Sequence, residues 1–318
     1  MRVLVTGANG FIGRSLCSEL RRRGFTVRGA LRRSGAITKN SISDLIVVGD
    51  IDSGTNWEEA LAGVDHVIHL AARVHLLRDN AADPLAEFRR VNRDGAVRLA
   101  KQAALHGVRR FIYLSSIKVN GEETKGSPFT ESDLCRPAGP YGISKAEAEE
   151  RLLALADKGG MEVVIIRPPL VYGPGVKANF LRMMQIIAKG MPLPLGAVHN
   201  KRSLVALDNL VDLLVTCLEH PAATNQIFLA GDDEDLSTTE LLRRLGGALK
   251  QPARLLPVPQ WLLDLCFNTA GRPDLRRRLC GSLRIDINKA KNLLGWQPPL
   301  SVTEGLKKTA EWYLKAHD

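Results

Sequence analysis

The chain has 318 residues, 45% hydrophobic and 25% charged, with a net charge of +10. This composition excludes a disordered chain, and no apolar run approaches the roughly 18 residues that span a bilayer. Five scattered cysteines without CxxC spacing (Cys17, Cys135, Cys217, Cys266, Cys280) argue against a disulfide framework and against a zinc site.

In chain order, Arg2 to Val5, Thr26 to Leu31, Leu45 to Val48, His66 to Leu70, Arg110 to Leu114 and Glu162 to Ile166 read as strands. They are rich in Val, Ile and Leu without polar alternation, as strands buried on both faces should be. Helical patterns over Ile12 to Arg23, Trp57 to Ala62, Glu87 to His106 and Ser144 to Ala156 separate most of them. The βαβα succession predicts an α/β fold with a doubly wound parallel sheet. After Tyr172, Pro and Gly thicken and helices dominate, at Asn179 to Ala188, Asp208 to Leu218 and Thr238 to Ala248. A smaller, mostly helical C-terminal lobe is expected over residues 173–318. It should be discontinuous, with Leu204 to Leu218 and Gln226 to Leu229 returning to the main sheet.

Basic residues are dispersed, with dense runs only at Arg21-Arg22-Arg23 and Arg276-Arg277-Arg278. A phosphate-bearing small substrate explains the surplus at least as well as nucleic acid, and no nucleic-acid partner is expected. Met1-Arg2-Val3-Leu4-Val5 runs straight into a glycine-rich turn where a signal peptide would need a longer apolar stretch, so a cytoplasmic location is expected.

Thr6-Gly7-Ala8-Asn9-Gly10-Phe11-Ile12-Gly13 follows a strand and opens a helix. In that context Gly7 permits the tight turn, Gly10 lets the backbone approach a pyrophosphate, and Gly13 allows close helix–strand packing. Residues 1–172 therefore read as a Rossmann-type dinucleotide-binding domain, with returns near 204–230. An acid about 20 residues on would bind the adenine-ribose diol. The second strand instead ends Gly29-Ala30-Leu31-Arg32-Arg33. Arg32 and Arg33 suit a 2′-phosphate, which favours NADP(H) with NAD(H) possible, or they are solvated surface charges. Asp50, in Gly49-Asp50-Ile51, could hydrogen-bond the adenine amino group.

Tyr141 and Lys145, in Tyr141-Gly142-Ile143-Ser144-Lys145, project from one helix face. A phenol titrates near pH 10, and a nearby ammonium lowers that value, so Tyr141 can exchange a proton with a carbonyl or alcohol while Lys145 tunes it and holds the nicotinamide ribose. Ser116, just past a strand's C-terminal end, can hydrogen-bond the same oxygen.

With these motifs the chain resembles the extended short-chain dehydrogenases of the NAD-dependent epimerase/dehydratase family. Further support comes from His69-Leu70-Ala71-Ala72, Val91-Asn92, Arg167-Pro168-Pro169 and Tyr172-Gly173-Pro174-Gly175. The resemblance implies that Asn9, Phe11 and Ile12 complete the cofactor turn and that Ile51 joins Asp50 at the adenine. It implies that Leu70, Ala71 and Ala72 line the cofactor path, that Asn92 sits behind the active site, and that Pro168 abuts the nicotinamide. Asn179 and Arg202 match positions that hold a nucleotide diphosphate, and Asp208 matches an acidic position that could equally be a helix N-cap. Ile117 and Lys118 stand where sugar 4,6-dehydratases carry Asp-Glu, which disfavours that reaction and leaves Lys118 as a solvated or substrate-contacting residue. Gly271-Arg272-Pro273-Asp274 resembles an Arg-Pro-Gly-Asp segment but precedes an inserted-looking Leu275 to Leu283, so Arg272 is a phosphate ligand only by partial match.

Two activities follow from the resemblance. One is an NADPH-dependent reductase at C4 of a UDP-4-keto-6-deoxy-N-acetylhexosamine, forming UDP-N-acetylquinovosamine for surface polysaccharide. The alternative is a UDP-glucose or UDP-N-acetylglucosamine 4-epimerase holding NAD tightly. A third reading, a silent Rossmann-type binding protein, is opposed by the presence of Ser116, Tyr141 and Lys145 together. A homodimer is the expected assembly.

Overall fold

The computed structural model describes residues 1–33, 44–74 and 82–317. The strands are β1 (Arg2–Thr6), β2 (Thr26–Leu31), β3 (Asp44–Val47), β4 (His66–His69), β5 (Arg110–Leu114), β6 (Glu162–Arg167), β7 (Leu170–Tyr172), β8 (Arg202–Ala206), β9 (Ile227–Leu229) and β10 (Asp235–Leu236). The helices are α1 (Phe11–Arg22), α2 (Glu58–Leu61), α3 (Pro84–Phe88), α4 (Ala96–Leu105), α5 (Gly139–Ala156), α6 (Ala178–Ala188), α7 (Leu207–Glu219), α8 (Thr238–Ala248), α9 (Gln260–Thr269), α10 (Pro273–Cys280), α11 (Asn288–Leu294) and α12 (Val302–His317).

Among the described residues, seven parallel strands form one sheet in the order β3-β2-β1-β4-β5-β6-β9. Its interior strands are apolar because both faces are covered. One face packs on α1, α7 and α11 through Leu16, Leu20, Leu210, Leu214 and Leu294. The other packs on α2, α4 and α5 through Leu61, Leu99, Ala148 and Leu152. The direction of winding reverses beside β1, so the crevice between the carboxyl ends of β1 and β4 is the natural ligand site.

The expected returns to the sheet divide. Gln226 to Leu229 does enter it, as β9 beside β6. The segment from Leu204 does not. As β8 it pairs with β7 and β10 in a separate three-stranded sheet, and only the helix that follows, α7, lies on the main sheet. The single helix expected over Glu87 to His106 is three pieces, α3, a π-helical stretch Arg89–Gly95, and α4. The π-turn brings Gly95 against the loop after β3, where a Cβ at Gly95 would lie 2.5 Å from the Ile51 side chain. Leu275 to Leu283 is no loose insertion. Its first part lies in α10, and Leu283 is buried and bridges to Arg202.

Helix α1 crosses β1 at close range. A Cβ at Gly13 would stand 2.1 Å from the Gly7 carbonyl oxygen and 2.8 Å from the Ala8 Cα, both backbone atoms that cannot turn aside. Gly13→Ala should therefore cost about 1–3 kcal/mol, read as a lower urea midpoint.

Candidate active site

Gly7 turns the chain out of β1 with φ +67°, in the left-handed region that glycine adopts without strain. The Gly10 amide donates to the Gly7 carbonyl at 2.9 Å, and Gly10 caps α1 in extended conformation. No side chain caps α1 and no acid stands in its first turn. The first amides of the helix thus point at the crevice with the positive end of its dipole, an arrangement that fits the pyrophosphate of a dinucleotide. Asn9 and Ile12 are half-buried in this turn, and Phe11 reaches from it to pack against both the main core and the C-terminal lobe. Arg14, which the sequence reading passed over, is exposed one turn into α1 with its Nε on the Asn9 carbonyl at 3.0 Å.

The opposite wall is the chain after β4. Thr6 Oγ1 accepts from the Leu70 and Ala71 amides, each at 3.1 Å, and bonds His69 Nδ1 at 2.8 Å. Leu70, Ala71 and Ala72 are thereby fixed facing Gly7, where a side chain on the glycine would meet the Ala71 amide at 3.1 Å. Asn92 is fully buried; it accepts from the Arg73 amide at 2.8 Å and donates to Ser144 Oγ at 3.0 Å. It ties this wall to α5, next to Lys145. His69 stacks on Tyr113, and burial holds its imidazole down at about 3, hence neutral.

Ser116 and Tyr141 meet. Burial pushes the Tyr141 phenol up to about 12, and its hydrogen bond with Ser116 pulls it back. Lys145 is 2% exposed, its Nζ donates to the Leu114 carbonyl at 2.8 Å and lies 4.4 Å above the Tyr113 ring, and burial lowers it to about 7. The Ser116 hydroxyl is hydrogen-bonded to the phenol and lowers its pKa.

Behind these side chains lies a buried network that the sequence reading missed. Arg167 grips the Glu149 carboxylate from Nε, at 3.0 and 3.1 Å, and from its second terminal nitrogen, at 2.5 Å. Ser115 Oγ donates to Glu149, and Arg167 also donates to Asn120 Oδ1 at 2.9 Å. Pro168 is buried and accepts the Ile117 amide at 3.0 Å.

The expected 2′-phosphate clamp is not free. Arg32 is paired with Asp50, Nε to Oδ1 at 2.9 Å, with both side chains about two-thirds exposed. Asp50 is engaged in that pair, while Arg33 is exposed beside it. On the substrate side, Lys118 pairs with Glu122 at 3.0 Å, and Arg202, whose pKa burial lowers, feels the charges of Glu122, Glu123 and Arg278. Arg202 also donates to the Gly281 carbonyl at 3.0 Å. Lys118 and Arg202 are thus brought to one acidic rim, with Arg278 as a neighbour no motif had marked. Asn179 is exposed at the start of α6, after Ala178 in a strained φ of +53°, and Arg272 is exposed ahead of α10. Asp208 is not an N-cap. It sits in the first turn of α7 and pairs with Lys308 at 2.8 Å. Among the described residues no group of three or more His, Cys, Asp or Glu could hold a metal.

Glu149→Gln should cost about 3–5 kcal/mol, because it strands the Arg167 charge in the core. Removing both charges in Glu149→Gln/Arg167→Met should recover most of that loss, as read by urea denaturation.

The model of the NAD dependent epimerase/dehydratase family matches residues 3–231. The chain is 48% identical to a UDP-glucose 4-epimerase of Vibrio cholerae, over 99% of this chain and 96% of that one. It is 31% identical to a UDP-glucose 4-epimerase of Mycolicibacterium smegmatis, over 98% of each. Among solved structures it resembles MoeE5 in complex with UDP-glucose and NAD, with a TM-score of 0.77 and 26% identity over 100% of both chains. The glycine turn, the Ser116–Tyr141 contact and this match over most of the chain make it a member of the NAD-dependent epimerase/dehydratase family.

Proposed function

We propose that the chain is a C4 epimerase of UDP-linked hexoses that works on NAD retained in the protein. The observation that carries this reading is the 48% identity, along 99% of the chain, to the Vibrio cholerae UDP-glucose 4-epimerase. The C4 reductase takes second place. It drew its support from Arg32 and Arg33 as ligands of a 2′-phosphate, and the Arg32–Asp50 pair leaves a carboxylate at that edge, which favours a ribose diol. The NAD in the MoeE5 complex supports the same choice of cofactor.

NAD, when bound, supplies a hydride acceptor and a cationic ring. The remaining work belongs to the protein. Tyr141 exchanges a proton with the C4 oxygen, and its hydrogen bond to Ser116 supports that role. Ser116 orients the same oxygen. Lys145 holds the ribose, and the Lys145 bond to the Leu114 carbonyl keeps its stem rigid. An epimerase returns its hydride to the sugar it came from, so one set of proton-transfer groups serves both halves of the reaction.

The purified protein should carry NAD and interconvert UDP-glucose and UDP-galactose with no cofactor added. Turnover of a UDP-4-keto sugar that requires added NADPH, with no epimerisation, would instead establish the reductase. Tyr141→Phe should lower kcat by about 10²–10⁴ with cofactor content unchanged. Asp50→Asn should free Arg32 and move the NAD/NADP affinity ratio about two- to five-fold towards NADP in isothermal titration, a small change because the pair is exposed.

A further inference from the structure

We propose that the hairpin of α9 and α10 is a docking surface for an anionic phospholipid membrane. Helix α9 reads Gln-Trp-Leu-Leu-Asp-Leu-Cys-Phe-Asn-Thr, yet of its residues only Leu263 is buried. Trp261 is 67% exposed and Leu265 53%, and one helical turn separates them, so they share a face. Leu256, before the helix, and Leu275, on α10, are exposed as well. A single exposed leucine, such as Leu105, needs no explanation, but three large apolar side chains on one hairpin, with Leu256 just before it, do.

The charge around this face identifies its occupant. From Arg254 to Cys280 there are five arginines and two aspartates. Asp264 is paired with Arg276 at 2.8 Å and Asp274 with Arg277 at 3.7 Å. Arg254 and Arg272 have no ion-pair partner among the described residues, while Arg278 lies towards Arg202 and the rim of the site. An exposed apolar face with tryptophan at its start, in a segment that carries exposed unpaired arginines, matches the interface of an anionic bilayer, where the ring sits at headgroup depth and guanidinium groups meet phosphates. A second copy of the chain fits poorly, because a twofold contact would set this positive patch against itself. No helix among the described residues is long and apolar enough to cross a membrane, so the contact is interfacial. It does not depend on which sugar the enzyme takes.

The test is co-sedimentation of the purified protein with vesicles of phosphatidylglycerol mixed into phosphatidylcholine, and with vesicles of phosphatidylcholine alone. Partitioning should be at least about 10-fold stronger with the anionic lipid and should weaken as salt is raised. Trp261→Ser/Leu265→Ser should lower it about 10-fold while circular dichroism and UDP-sugar turnover stay as in the parent. The conservative Trp261→Phe should keep sedimentation and remove the blue shift of tryptophan fluorescence on vesicle addition. No partitioning into anionic vesicles overturns the proposal, as does partitioning indifferent to the double substitution. Self-association that the double substitution abolishes, without vesicle binding, overturns it too and gives the face to a second copy.

Discussion

Glu149 and Arg167 are buried together where α5 crosses the end of β6, and the positions of the other site residues depend on that pair. Either charge alone in the core would be several kcal/mol unfavourable. Together, with Ser115 and Asn120 taking further hydrogen-bonding positions, they form a satisfied network that fixes α5 to the ends of β5 and β6. Each expected active-site group is a short step from it. Ser116 follows Ser115, Lys145 lies one helical turn before Glu149, and Pro168 follows Arg167. The register of the phenol, the hydroxyl and the ammonium is therefore set by a salt bridge that none of them joins.

What was legible in the sequence is what a chain states locally. Buried parallel strands declare themselves by short apolar runs without polar alternation, and β2 and β5 occupy the spans read from the sequence. The glycine turn and the Tyr141–Lys145 spacing are local as well. What was not legible depends on who faces whom. Glu149 looks like any acid on an amphipathic helix until Arg167 is opposite it. The strand β8 carries no mark of the sheet it joins. The π-helical stretch Arg89–Gly95 is not marked in the sequence, and the Ile51 side chain that packs against Gly95 comes from another strand's loop.

The cofactor edge shows the same limit in electrostatic form. Along the chain, β2 ends in two arginines and offers no acid. In space, β2 and β3 run side by side with Leu31 opposite Val47, so the loops leaving them are neighbours and Asp50 reaches Arg32. A rule that looks for a carboxylate at the end of β2 misses one delivered from β3. Charge at a site is counted by distance through space, not by position in sequence.

Burial drives the inner groups of the site towards their neutral forms, with His69 near 3, Lys145 near 7 and Tyr141 near 12. Burial makes the charged forms of these groups costly until a bound ligand compensates them. That suits a cofactor that stays, since each departure would leave the crevice to be resolvated, and it suits a reaction that starts and finishes on a sugar of unchanged charge. The same reasoning separates the inner site from the rim. There Lys118 pairs with Glu122, and the half-buried Arg202 feels the charges of Glu122, Glu123 and Arg278. On the proposed function, proton transfer belongs to the buried interior held by Glu149 and Arg167, and recognition of a charged carrier falls to the rim at Lys118 and Arg202, whose surroundings come from the variable lobe, so the reaction class is easier to read from this chain than the sugar it acts on.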